Sequence, residues 1–197
     1  MAHEDDVELT VSDKDLAALQ ALVTALNGRD RKARQSSAHT VALIAKAVPL
    51  AVIPFADDLV RAVGRPEAQT RWEALDALAS LVSVDPDAAA KAFDDAQESL
   101  YDEVSGPVRL AAFRYFTVLG GASAAWSAKV WPLVDEAVQC YHGDPEFDDM
   151  LTSLLAFAQG DLDPAVRAAL AERLSFDAHN GRGSLAARAR QIIEALQ

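Results

Sequence analysis

The chain has 197 residues, 51% hydrophobic and 24% charged, with a formal net charge of -12. That much negative charge repels a phosphate backbone, so nucleic acid is not an expected partner, and the single cysteine, Cys140, excludes an intramolecular disulfide. The most apolar stretch, 41–56, is interrupted by Lys46, Pro49 and Pro54 and falls short of the roughly 20 residues of a membrane span, so no membrane association is expected.

In chain order, residues 1–12 (MAHEDDVELTVS) read as a solvated acidic tail. They have neither the basic start nor the apolar middle of a signal peptide, which leaves the cytoplasm as the expected location. From residue 13 the pattern is helical throughout, with no strand-like alternation and no linker, so 13–197 reads as one all-α domain. A first helix starts near Ser12 or Asp13, buries Leu16, Leu19, Leu22, Val23 and Leu26, and stops at Asn27-Gly28. A second runs from about Asp30 to Ala47, where Val48-Pro49 breaks the chain. Pro54 lies in the first turn of a third, which buries Phe55, Leu59, Val60 and Val63 and ends at Gly64. Pro66 opens a fourth that runs to about Val84. Asp85-Pro86 couples a cap to a proline at the first helical position and opens a fifth, burying Ala89, Phe93, Leu100 and Tyr101. Ser105-Gly106-Pro107 opens the sixth, and Gly120-Gly121 closes it. Ser123 caps a seventh burying Trp126, Val130, Val134 and Val138, which Pro132 should kink. Asp144-Pro145, Asp163-Pro164 and Ser184 start the last three. Short connections make neighbouring helices antiparallel hairpins.

Every second helix repeats the same pattern. With Arg109 as anchor, steps of about 38 residues reach Arg71 and Arg34 in one direction and Phe147 and Leu185 in the other. Four residues after the anchors stand Ala38, Leu75, Phe113, Leu151 and Ala189, and seven after stand Val41, Leu78, Phe116, Leu154 and Ile192. Offsets of four, seven, eight and eleven share one stripe of a helix, so five helices should bury the same face in register. A helical period near 40 is that of a solenoid, here an α-solenoid of about five hairpins.

The segments PEAQTRWEALDALASLV and GPVRLAAFRYFTVL resemble the second helix of HEAT-like repeats, and so does DPAVRAALAERL, although its phase puts it on a first helix. The resemblance covers about 13–196 and implies a right-handed superhelix of the armadillo type, built here from two helices per unit rather than three. It also implies a ladder of Asp–Arg contacts between repeats. Arg34, Arg71 and Arg109 match the ladder arginine; Phe147 and Leu185 do not, so the ladder should stop before the last two repeats.

If the second helices line a concave face, the residues five after each anchor, His39, Asp76, Arg114, Thr152 and Arg190, form an exposed row. Glu73 and Asp149, two after their anchors, and Tyr115, six after, join it. The concave site is therefore His39, Glu73, Asp76, Arg114, Tyr115, Asp149, Thr152 and Arg190, with Arg114 beside Tyr115 at its centre because both types are enriched at interface hot spots. The basic run Arg29–Arg34 reads as a solvated turn with one ladder arginine, and the acidic runs Asp94–Glu103 and Asp144–Asp149 as solvated faces. Cys140-Tyr141-His142 lacks a third ligand at workable spacing, and the half-apolar surroundings of Trp72, Trp126 and Trp131 place them partly in the core. The chain carries no Gly-x-Ser-x-Gly elbow, no HExxH and no phosphate-cradling loop, so no catalytic residue, cofactor or metal is expected. The leading expectation is a non-enzymatic scaffold that binds a protein or peptide partner in the concave groove. The alternatives are a HEAT-like enzyme of the DNA-alkylation-repair kind, which the acidity opposes, and a self-associating structural array. A deoxyhypusine-hydroxylase-like site would need repeated His-Glu pairs, and only His3-Glu4 occurs.

Overall fold

Caps decide where many of the helices begin. In the computed structural model, which describes residues 13–197, Asp30, Asp85, Ser105, Ser123 and Asp163 each accept a backbone N–H from the first turn that follows. Each thereby satisfies one of the amides that a helix start leaves without a partner. The acidic tail expected at 1–12 lies outside the described residues. The helices are α1 (Asp13–Leu26), α2 (Arg31–Ala47), α3 (Pro49–Val52), α4 (Ala56–Val63), α5 (Ala68–Leu81), α6 (Pro86–Ala90), α7 (Phe93–Leu100), α8 (Gly106–Gly121), α9 (Ala124–Cys140), α10 (Phe147–Ala158), α11 (Pro164–Asn180) and α12 (Gly183–Ala195). Pro132 lies inside α9 without ending it. Ser184 is not a cap: α12 starts one residue earlier, at Gly183, whose φ of 59° glycine adopts without a steric penalty.

These helices stack in two layers. The inner layer is α2, α5, α8, α10 and α12, each packed on the next; the outer layer is α1, α3 with α4, α6 with α7, α9 and α11. Inner neighbours pack on one another more extensively than outer neighbours do, so the inner face is the concave side. The expected stripe is the core. All ten residues at offsets four and seven are buried, and Phe116 is fully enclosed, edge-on to Phe93 at 5.1 Å between ring centroids. Leu16 departs from expectation, 44% exposed on α1, the outermost helix of the first described repeat.

Two outer helices are broken, where the sequence reading expects single ones. In the second repeat a 3₁₀ turn, Ile53–Phe55, separates α3 from α4. Pro54 has no N–H to give and its ring crowds the carbonyl one turn back, which a tighter turn relieves. In the third repeat α6 and α7 part at Lys91-Ala92. At the break the Ala89 carbonyl accepts the Ala92 N–H at 3.3 Å and also the Tyr115 hydroxyl at 2.8 Å, so it is not left without a donor. These two repeats thus have three helical pieces each, the armadillo form, while the others keep two.

The arginine ladder is present. Arg34 Nε donates to Glu67 Oε2 at 3.1 Å, Arg71 Nη1 to Asp102 Oδ2 at 2.6 Å, and Arg109 Nε to Glu146 Oε1 at 2.8 Å. Each guanidinium reaches the acid at the head of the next inner helix, so the rungs tie repeat to repeat. The hydrogen bond from Arg34 holds Glu67 below the usual carboxylate range. Burial pushes Asp102 up, but the Val104 and Ser105 amides and Arg71 together outweigh it and the net shift is downward. The ladder stops at Phe147 and Leu185 as expected. The later repeats are joined instead by Arg173 to Asp135 (2.6 Å) and His142 to Asp177 (3.2 Å). Two glycines let the ends of α8 and α10 touch: a Cβ at Gly160 would stand 2.6 Å from the Gly121 carbonyl oxygen, which instead accepts the Asp161 N–H at 2.9 Å.

Candidate functional site

With one stripe of each inner helix in the core, and both flanks of α5, α8 and α10 against inner neighbours, only a narrow strip of these three faces outward. It carries the residues two, five, nine and twelve after each anchor. On α2 these are Ser36, His39, Leu43 and Lys46, all exposed; on α5 they are Glu73, Asp76 and Ser80, half-buried, with Ser83 exposed in the turn that follows. Arg114 and Val118 on α8, Asp149 and Thr152 on α10, and Arg190 on α12 continue it. The strip therefore gathers His39, Glu73, Asp76, Arg114, Asp149, Thr152 and Arg190.

Tyr115 does not belong to it. Its side chain is fully buried, turned toward α6, with the hydroxyl held by the Ala89 carbonyl. Burial also raises its phenol above the ordinary tyrosine range. A single helix viewed as a wheel makes offset six look solvated; the adjacent helices of an array cover it.

Hydrogen-bonded pairs span the gaps between inner helices. His39 Nδ1 and Glu73 Oε1 lie 2.9 Å apart across α2 and α5. Across α5 and α8, Arg114 grips both oxygens of Asp76, Nε to Oδ1 at 3.1 Å and Nη2 to Oδ2 at 2.9 Å. Burial nevertheless holds the Asp76 carboxyl above its ordinary range. Arg114 thus works with Asp76 rather than with its sequence neighbour. Arg190 donates to the Ala178 carbonyl at the end of α11, and the Thr152 hydroxyl returns to the Asp148 carbonyl of its own helix.

Three clefts run along this strip and share walls. One of 360 Å³ lies between Trp72, Pro107, Leu110, Pro145 and Asp149; Asp76 and Arg114 close its far side. The same two residues bound a second, of 350 Å³, with Leu43, Lys46, Glu73 and Ser80. Lys46 and Ser80 then open onto a third, of 590 Å³, beside Pro49, Pro86, Val118 and Ala122. The result is one diagonal groove from the head of α10 to the C-terminal ends of α2, α5 and α8. Trp72, Leu110, Leu43, Lys46, Ser80 and Val118 line it and escape the sequence reading. Offsets one, nine and twelve from the anchors would have found them, by the same period that found the others.

The remaining motifs resolve into structural roles. Cys140 is exposed at the end of α9, while the Tyr141 hydroxyl donates to the Leu100 carbonyl and His142 faces Asp177, so the three do not converge. Of the basic run, Arg34 is a buried ladder rung and Arg31 and Lys32 are exposed. The acidic runs supply the ladder acids Asp102 and Glu146, so these two are not the free solvated charges expected of them. Trp72, Trp126 and Trp131 are half-buried against the core, as expected. Among the described residues no helix is long and apolar enough to cross a membrane.

Two layers of helices, an inner groove and an interrepeat ladder define an armadillo/HEAT-like α-solenoid. Solved structures agree on the fold. A designed armadillo repeat protein in complex with the peptide (KR)4 superposes with a TM-score of 0.68 at 16% identity, over 94% of this chain and 87% of that one. Computationally designed armadillo repeat proteins for modular peptide recognition give 0.66 at 16%, over 92% and 83%. The armadillo-repeats-only protein of Plasmodium falciparum gives 0.57 at 12%, over 96% and 100%. No protein-family model matches the sequence, and no curated protein does.

Proposed function

We propose that this chain is a non-enzymatic interaction module whose inner groove receives an extended segment of a protein partner. The observation that carries the reading is the continuity of the groove: its three clefts share Asp76, Arg114, Lys46 and Ser80, so one bound chain can contact four inner-helix ends without a gap. Inner helices stand roughly 10 Å apart, so the path from α2 to α10 accommodates about ten residues of extended chain, allowing for its diagonal course. Peptide recognition by the designed armadillo proteins of the same fold supports this reading over a catalytic one. The mixed charge of the groove, with Arg114 committed to Asp76, also counts against a phosphate-backbone ligand and hence against a DNA-alkylation-repair kind of enzyme.

The test is to pan a displayed library of random peptides of about a dozen residues, then compare wild type with a Leu43→Glu/Asp149→Arg variant. Both residues are exposed, so the variant keeps its fold. Peptides selected on wild type should bind the variant at least about tenfold more weakly. Undiminished binding to the variant would place the interface elsewhere on the solenoid.

A further inference from the structure

The two ends of the groove differ in charge, and each has a charged side chain left over. At the α10 end, Trp72 and Leu110 form an apolar floor and Asp149 stands exposed at the rim, its carboxylate in no hydrogen bond or ion pair with another described residue. The other carboxylates at this end are occupied: Asp76 by Arg114 and Glu146 by Arg109. At the opposite end, Lys46 is the one charged residue lining the 590 Å³ cleft and is exposed; its ammonium makes no hydrogen bond or ion pair with another described residue and acts on the Asp76 carboxylate only from a distance. Around it Val118 is 42% and Leu43 56% exposed, so aliphatic surface flanks the ammonium.

The geometry points to a bipolar peptide ligand: a Lys or Arg side chain seated on Trp72 beside Asp149, then, about ten residues along, aliphatic side chains and a carboxylate at Lys46. This rests on the groove reading above and names the charge order of its occupant. A cation over an indole face with a carboxylate beside it gains from both the ring and the charge. The same cation at the other end meets Lys46 and is repelled, and a carboxylate at the α10 end meets Asp149. The Arg114–Asp76 pair between the ends is self-neutralised, so the middle of the ligand is read by shape rather than by charge.

Fluorescence anisotropy with four synthetic peptides of about a dozen residues tests this. Two carry an Arg pair at one end and Leu-Glu at the other, in the two chain orders; one carries Arg at both ends, and one Glu at both ends. One bipolar order should bind at least about tenfold more tightly than either uniform peptide, since each opposed charge costs on that scale. Lys46→Glu should transfer the preference to the Arg-ended peptide, and Asp149→Lys to the Glu-ended one. Circular dichroism confirms that both variants are folded. If the Arg-ended peptide binds wild type as tightly as the bipolar ones and Asp149→Lys weakens it, the bipolar inference falls while the groove reading stands. If all four peptides bind a Lys46→Glu/Asp149→Lys double variant as they bind wild type, both fall.

Discussion

Tyr115→Ala should be among the more destabilising single substitutions in this protein, although the residue sits beside the groove in sequence. Its ring is fully enclosed, edge-on to Phe116 at 5.2 Å, and its hydroxyl donates to the Ala89 carbonyl at the break between α6 and α7. A buried aromatic side chain removes about 150–250 Å² from water, worth about 4–6 kcal/mol as an upper bound; truncation of such residues costs about 3–5 kcal/mol. Tyr115→Phe separates the two contributions. It keeps the packing and abandons the Ala89 carbonyl, for a loss of about 1–2 kcal/mol. Urea unfolding followed by far-ultraviolet circular dichroism reads both, with unchanged m-values showing that the native state alone was perturbed. A loss below about 1 kcal/mol for Tyr115→Ala would be the behaviour of a surface residue. It would mean that the side chain faces the groove after all and that the burial argument fails.

Gly120→Ala should cost about 1–3 kcal/mol by urea unfolding, because the added Cβ would lie 2.4 Å from Val130 Cγ2 and 2.8 Å from the Phe157 ring, and a β-branched side chain and a packed ring cannot both yield. A neutral outcome would show that α8, α9 and α10 are more loosely packed than described. Acid should loosen the ladder. Glu67 and Asp102 have folded pKa values below their usual 4.5 and 3.8, so their contribution is complete above those values and disappears as the pH falls through the lower folded ones. Wild type should therefore lose stability on titration from about pH 5 to about pH 2 with a steeper slope than Glu67→Gln, and parallel curves would remove Glu67 from the account. Leu43→Glu/Asp149→Arg should unfold within about 0.5 kcal/mol of wild type, since both side chains are exposed; a larger loss would disqualify it as a probe of binding.

The periodic part of this structure was written in the chain. Anchors about 38 residues apart and apolar offsets of four and seven depend only on helix geometry, so the five inner helices, their buried stripe from Ala38 to Ile192 and the caps at Asp85, Ser105, Ser123 and Asp163 follow from local chemistry. Arg34, Arg71 and Arg109 were legible as rungs because they occupy the anchor itself. Their acidic partners, Glu67, Asp102 and Glu146, were not, because they stand 31 to 37 residues away at slightly different places relative to each helix start. Tertiary structure alone decided which outward positions remain open. α8 has neighbours on both flanks, so Tyr115 is covered while Trp72 and Leu110 reach the groove, a difference no single helical wheel contains. It also decided that Arg114 belongs to Asp76, since that pairing joins residues one repeat apart across a gap that exists only once α5 and α8 have packed.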